Sequence, residues 1–371
     1  VAVIALFLAL IAAATETAAP ASDAAAGRQA AAENVAATVS LSGLLTLDDV
    51  CAEIERQTGN KITDYRGHVS QNITNPQFKL EIKNAPFWQA VDALLDSTKM
   101  TVYHYSGKDG LAIVNRAGDE LPRSGRATYV GPLRLEVTRI IAQRQPALKT
   151  SGLLQLNLAI AWEPRLEPLM IVQPLTQIQA IDDQGHALKF DREEATLEAP
   201  IEGGGTGVGL VFSFVPPPRS VNAIASLKGT LNVSLPGKVE AFEFDKLVDA
   251  AGPRVKPVEQ KKGATAVSLD QVRKNNEIWE VLTRIRFDEA SSPSDAQHNW
   301  IFQNEVYLLG PDHNRIDHAG FHTTERTGNE IGVIYQFELP GGMEGCTFVY
   351  RSPTSLHLLP VEYELKNLQL P

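Results

Sequence analysis

Residues 207–214 read GVGLVFSF and residues 331–338 read IGVIYQFE. Both carry apolar side chains at alternate positions, the mark of a strand with one buried face. Neighbouring segments repeat at the same spacing. VEAFEFDKL at 239–247 parallels PVEYELKNL at 360–368, and 156–163, ending in Ala161-Trp162-Glu163, parallels 279–288, ending in Arg286-Phe287-Asp288. The turn at Asp182–Gly185 parallels Gly310-Pro311-Asp312. All offsets are about 120 residues and the order is kept, which predicts a tandem duplication. Period-two segments at 133–137, 154–158 and 178–181 extend the pattern. Two antiparallel β-sandwich domains are expected, over 132–250 and 265–371, joined by a Pro-, Gly- and Lys-containing linker at 251–264.

Upstream, residues 38–115 mix both periodicities. Thr46-Leu47-Asp48-Asp49 resembles a capping box, and Leu47, Val50, Cys51 and Ile54 form a helical stripe that ends at Gly59. A second stripe, Phe87, Ala90, Val91, Leu94 and Leu95, follows Asn84-Ala85-Pro86. Short strands surround both helices, giving the order β-α-β-β-α-β-β and then a polar linker at 116–131. The fold class is therefore α+β, mainly β: a small module followed by the two sandwiches.

The stretch LTLDDVCAEIERQTGNKI (45–62) together with FKLEIKNAPFWQAVDALLDSTKMTVYHYSGKDGLAIV (78–114) resembles the short N-terminal domain shared by secretins and TonB-dependent receptors. The likeness rests on Gln57-Thr58-Gly59, Asn84-Ala85-Pro86, Ala90–Leu95 and Thr101–Tyr105. It covers about a fifth of the chain. It implies a periplasmic fold used for protein contact or signal transfer, and no chemistry. The barrel segments of those complete machines are not read here, so their roles do not carry over.

Residues 1–14 (VAVIALFLALIAAA) are an unbroken apolar run, shorter than a bilayer span and of signal-peptide length. An export signal that begins upstream is expected, with an uncleaved membrane anchor as the alternative. Residues 15–37 are Ala-rich with Ser, Thr, Pro and Asp, and read as a flexible tether. The expected localisation is extracytoplasmic, periplasmic or secreted. The net charge of −10 and the lack of a basic cluster argue against nucleic acid. Two cysteines, Cys51 and Cys346, cannot staple three units, and both are expected to be unpaired.

Catalytic signatures are sparse. His298, His313, His318 and His322 fall close together with Asp312 and Asp317, types that can ligate zinc, but no helix aligns them. The glycines of 203–207 lack the Lys-Ser/Thr of a phosphate loop. Trp162 and Trp300 are candidates for an aromatic glycan-binding face, set against packing in a sandwich core. No cofactor is expected. The sequence points to an exported, non-enzymatic structural or interaction protein whose module docks an envelope partner and whose sandwiches serve as spacer or adhesive domains. A polymer- or glycan-binding protein and a metal-dependent hydrolase at the His298–His322 loop are the alternatives.

Overall fold

The computed structural model describes residues 35–104, 110–144, 152–201, 205–248, 256–287, 300–327 and 329–371. The expected export signal, nearly all of the tether, and residues 251–255 of the expected linker lie outside them. The chain is mainly β, with two α-helices among the described residues.

The module runs β1 (Thr38–Leu45), α1 (Leu47–Thr58), β2 (Ile62–Asp64), β3 (Phe78–Pro86), α2 (Phe87–Thr98), β4 (Met100–Val102) and β5 (Leu111–Asn115). Thr46 accepts from the Asp49 amide while the Asp49 side chain accepts from the Thr46 amide, so two orphan donors of the first turn are satisfied. Gly59 closes α1 at φ 71°, a conformation that costs a glycine nothing. β1 pairs antiparallel with β3 in a two-stranded sheet, and β2-β5-β4 form a second sheet. The stripes of both helices fill the core between them: Val50, Ile54, Ala90, Val91, Leu94 and Leu95 are all fully buried.

The first β unit contains β6 (Ala127–Val130), β7 (Leu133–Arg144), β8 (Gly152–Trp162), β9 (Met170–Pro174), β10 (Ile178–Asp182), β11 (Thr196–Pro200), β12 (Gly207–Phe214), β13 (Ala223–Pro236) and β14 (Val239–Phe244). The second contains β15 (Val258–Lys262), β16 (Thr265–Asn275), β17 (Ile278–Phe287), β18 (Val306–Leu309), β19 (Arg315–Asp317), β20 (Gly320–Arg326), β21 (Glu330–Glu338), β22 (Thr347–Pro353) and β23 (Leu356–Gln369). Two of the sheets share a strand order. One sheet orders β12-β8-β7-β6, and its counterpart orders β21-β17-β16-β15 with β20 added outside β21.

Both expected linkers contain strand. Val258–Lys262 pairs with β16, and Ala127–Val130 pairs with β7. Each is an edge strand, where solvent takes one side of the ladder and charged or polar side chains are tolerated, so neither shows an apolar alternation.

The larger correction concerns the boundary between the two units. β14 does not fold back on β13; it pairs with β22 of the second unit, and β23 pairs with β13 of the first. The register is continuous: Ala223↔Gln369 and Pro236↔Leu356 lead without a slip into Val239↔Pro353 and Phe244↔Phe348. Between the two blocks, the Gly237 amide donates to the Ser355 carbonyl at 2.9 Å and the Thr354 amide to the Lys238 carbonyl at 2.8 Å. Residues 223–244 and 347–369 thus form one antiparallel ladder through both units, roughly 70 Å in contour at about 3.3 Å per residue. Burial cements it. Leu359, Val361, Tyr363 and Leu365 of β23 lie in the core of the first unit, while Phe242 and Phe244 of β14 lie in that of the second. Pro360 is admitted because β23 lies at the edge of its sheet, where a missing donor costs no ladder bond.

Candidate functional site

The module is seated on the first β unit through two buried carboxylates. Glu163, fully buried just past β8, accepts from the Ala37 amide at 2.8 Å, the Asn60 side chain at 3.1 Å and Arg165 Nε at 2.6 Å. Asp92 on α2, also fully buried, accepts from Arg123 Nε and Arg134 Nε, each at 2.8 Å, and from the Tyr129 hydroxyl at 2.7 Å. Arg123 and Tyr129 come from the stretch expected to be a free polar linker. A buried carboxylate needs donors, and this stretch supplies them.

Trp88, beside the α2 stripe, is 2% exposed. The first β unit covers it: Trp88 lines a cleft of about 390 Å³ with Ala159, Ala161, Gly207 and Gly209.

A second cleft, of about 490 Å³, lies where β13 passes into β14. Trp162, Trp300, Leu169, Val239 and Arg351 line it. The two candidate tryptophans are therefore brought together, but they are only 1% and 3% exposed, and Trp300 packs edge-on against Phe287 at 5.5 Å. Stacking a sugar needs an open ring face, and neither offers one.

A third hollow, of about 580 Å³, follows the outer edge of β1 where it faces α1, with Ser42, Leu45, Ala52, Glu53 and Arg56 in its walls. Among the described residues β1 pairs with β3 alone. At the irregularity near Ser40 the Gln57 side chain stands in for a partner strand: its Oε1 accepts from the Ser40 amide and its Nε2 donates to the Ser40 carbonyl, both at 2.8 Å. Beyond this plug the edge is open, and Leu44 is 62% exposed.

The histidine segment does not converge. β19 belongs to one sheet of the second unit and β20 to the other, so the loop spreads its side chains. Asp312 and His313 are exposed in a turn, Asp317 pairs with Arg315 at 2.7 Å, and His322 is exposed on β20. His318 packs against Tyr335 and Phe321, at 5.5 and 5.9 Å. His298 lies outside the described residues. Among the described residues no three His, Cys, Asp or Glu side chains gather as a metal site would require. Both cysteines are free; burial, aided by Asp48, Asp64 and Glu55, pushes the Cys51 thiol up to about 12, far from a reactive thiolate.

Comparison of the chain with protein-family models, curated proteins and solved structures returns no match.

Proposed function

We propose that the protein is an exported, non-enzymatic interaction protein of the cell envelope, whose module binds a partner by adding the partner's strand to the outer edge of β1. The observation that carries this reading is the open stretch of β1 beyond the Gln57 plug, flanked by the hollow against α1. An added strand gains main-chain hydrogen bonds from the edge, and side-chain selectivity from the hollow beside it. The buried seats at Glu163 and Asp92 support the same reading, because a load taken up by the module passes directly into the β units. The two units, joined by a shared ladder, act as a stiff spacer.

The test uses the tagged full chain on envelope extracts, in parallel with Leu44→Lys, a charge on the edge that opposes strand addition. A partner retained by the wild type and lost from an equally stable Leu44→Lys protein supports the proposal. Equal capture by both, or capture by neither, overturns it.

A further inference from the structure

The cleft beneath the module has a floor of unusual composition. On the sheet face turned toward the module, two cross-strand rows lie side by side: Tyr129, Arg134, Ala161 and Gly207 form one, and Ala127, Glu136, Ala159 and Gly209 the other. Register partners share a face. The row between them, Leu135, Ile160 and Val208, points the other way onto the core, as do Leu158 and Leu210 in the next row. Five of these eight residues are alanine or glycine, bare backbone and methyl groups, and the other three are Tyr129 and the buried charges Arg134 and Glu136.

The hydrogen bonding over that floor is lopsided. The carboxylates nearby are engaged: Asp92 by Arg123, Arg134 and Tyr129, Glu136 by Arg126 and Arg134, and Glu120 by Thr101. Two donors are not. Arg134 Nη2 and Trp88 Nε1 are buried with no acceptor in reach, and both residues, 4% and 2% exposed, line the cleft. A buried donor without a partner costs the full desolvation of the group, so surplus donors around a cavity mark a place where an acceptor belongs. A guanidinium N–H favours a charged oxygen over a neutral one. Partial burial and the charges of Arg123 and Arg134 hold the His104 imidazole below its ordinary value, so the histidine at the cleft stays neutral and adds no competing cation.

We propose that this cleft binds a small organic monocarboxylate with a flat apolar body. The carboxylate takes the N–H groups of Arg134 and Trp88, and the body lies on the floor formed by Ala159, Ala161, Gly207 and Gly209. The volume, about 390 Å³, lies in the range of small-molecule sites. The site is separate from the edge of β1, so either proposal stands without the other.

Isothermal titration of the full chain with benzoate and naphthoate tests it, against benzamide and inorganic phosphate. Two variants divide the contributions. Gly209→Val fills the floor from a position where a Cβ meets nothing closer than the Leu158 carbonyl oxygen at 4.0 Å. Trp88→Phe removes one N–H and keeps an aromatic ring. Expected are binding of an aromatic carboxylate, its loss in Gly209→Val at unchanged thermal midpoint, and weakening by about tenfold in Trp88→Phe, the effect of one hydrogen bond to a charged group. Absence of binding by either carboxylate overturns the proposal. So does benzamide or phosphate binding as tightly as benzoate, or undiminished binding in Gly209→Val.

Discussion

Asp96, near the end of α2, ties the module to the segment that leads into the first β unit. Its carboxylate accepts from the Arg123 amide at 2.8 Å, the Ser124 amide at 2.9 Å and Arg116 Nη2. Burial works against the charge, yet the Arg123 and Ser124 donors and the Arg116 guanidinium outweigh it and hold the carboxyl well below the usual range. The sign of the pH effect follows. The unfolded chain binds this proton more tightly than the native one, so the contribution is full above the unfolded pKa of about 3.9 and is lost as pH falls toward the folded value. Asp96→Asn is expected to cost about 1–3 kcal/mol near neutral pH, from donors left with a weaker acceptor. It should also shrink the loss of stability between about pH 5 and about pH 3. Urea unfolding of both proteins across that range measures this, and identical pH slopes would refute it. None of this was legible in the sequence. Nothing in a linear pattern tells a buried acceptor such as Asp92 from an exposed one, nor marks Asp96, Arg123 and Arg134 as its neighbours in one network.

At the scale of elements, the pair β13–β23 shows why the strands could be read but not their partners. VEAFEFDKL and PVEYELKNL stand out because they resemble each other, yet the strand of the first pairs with β22 of the second unit and that of the second with β13 of the first. Pro236-Gly237-Lys238 has turn-forming residue types, yet the pairing with the 347–369 segment continues on both sides of it. Specificity for the exchanged arrangement lies in Gly229 and its register partner Tyr363. The phenol ring fills the space a side chain at 229 would need: a Cβ there would lie 2.7 Å from the Tyr363 hydroxyl oxygen. That hydroxyl donates to Gln173 Oε1 at 3.0 Å in a buried bond. Gly229→Ala is therefore expected to displace the ring, break the bond and cost about 1–3 kcal/mol by overpacking. A denaturation midpoint equal to wild type would show that the ring shifts freely. The small-residue floor was more accessible to sequence reading, since Ala159-Ile-Ala161 and Gly207-Val-Gly209 alternate small side chains on two strands. What was missing was that those strands pair in that register.

For the whole molecule, the ladder replaces two expected domains with one interlocked body. Each core draws residues from both β units, so neither can open without stripping a strand from the other. Differential scanning calorimetry is expected to show the two β units melting in a single transition. Two resolved transitions, or a stably folded fragment covering 132–250 alone, would contradict the interlock. The same feature sets a timetable for the newly made chain. β13 leaves the ribosome with one edge vacant, and the strand that fills it lies more than 100 residues further along. Non-local pairing of this kind is slow, and an unpaired edge is prone to aggregate while it waits. Every nascent chain thus passes through an interval in which the first unit is nearly complete and still adhesive. A holding chaperone would shield it until β23 arrives.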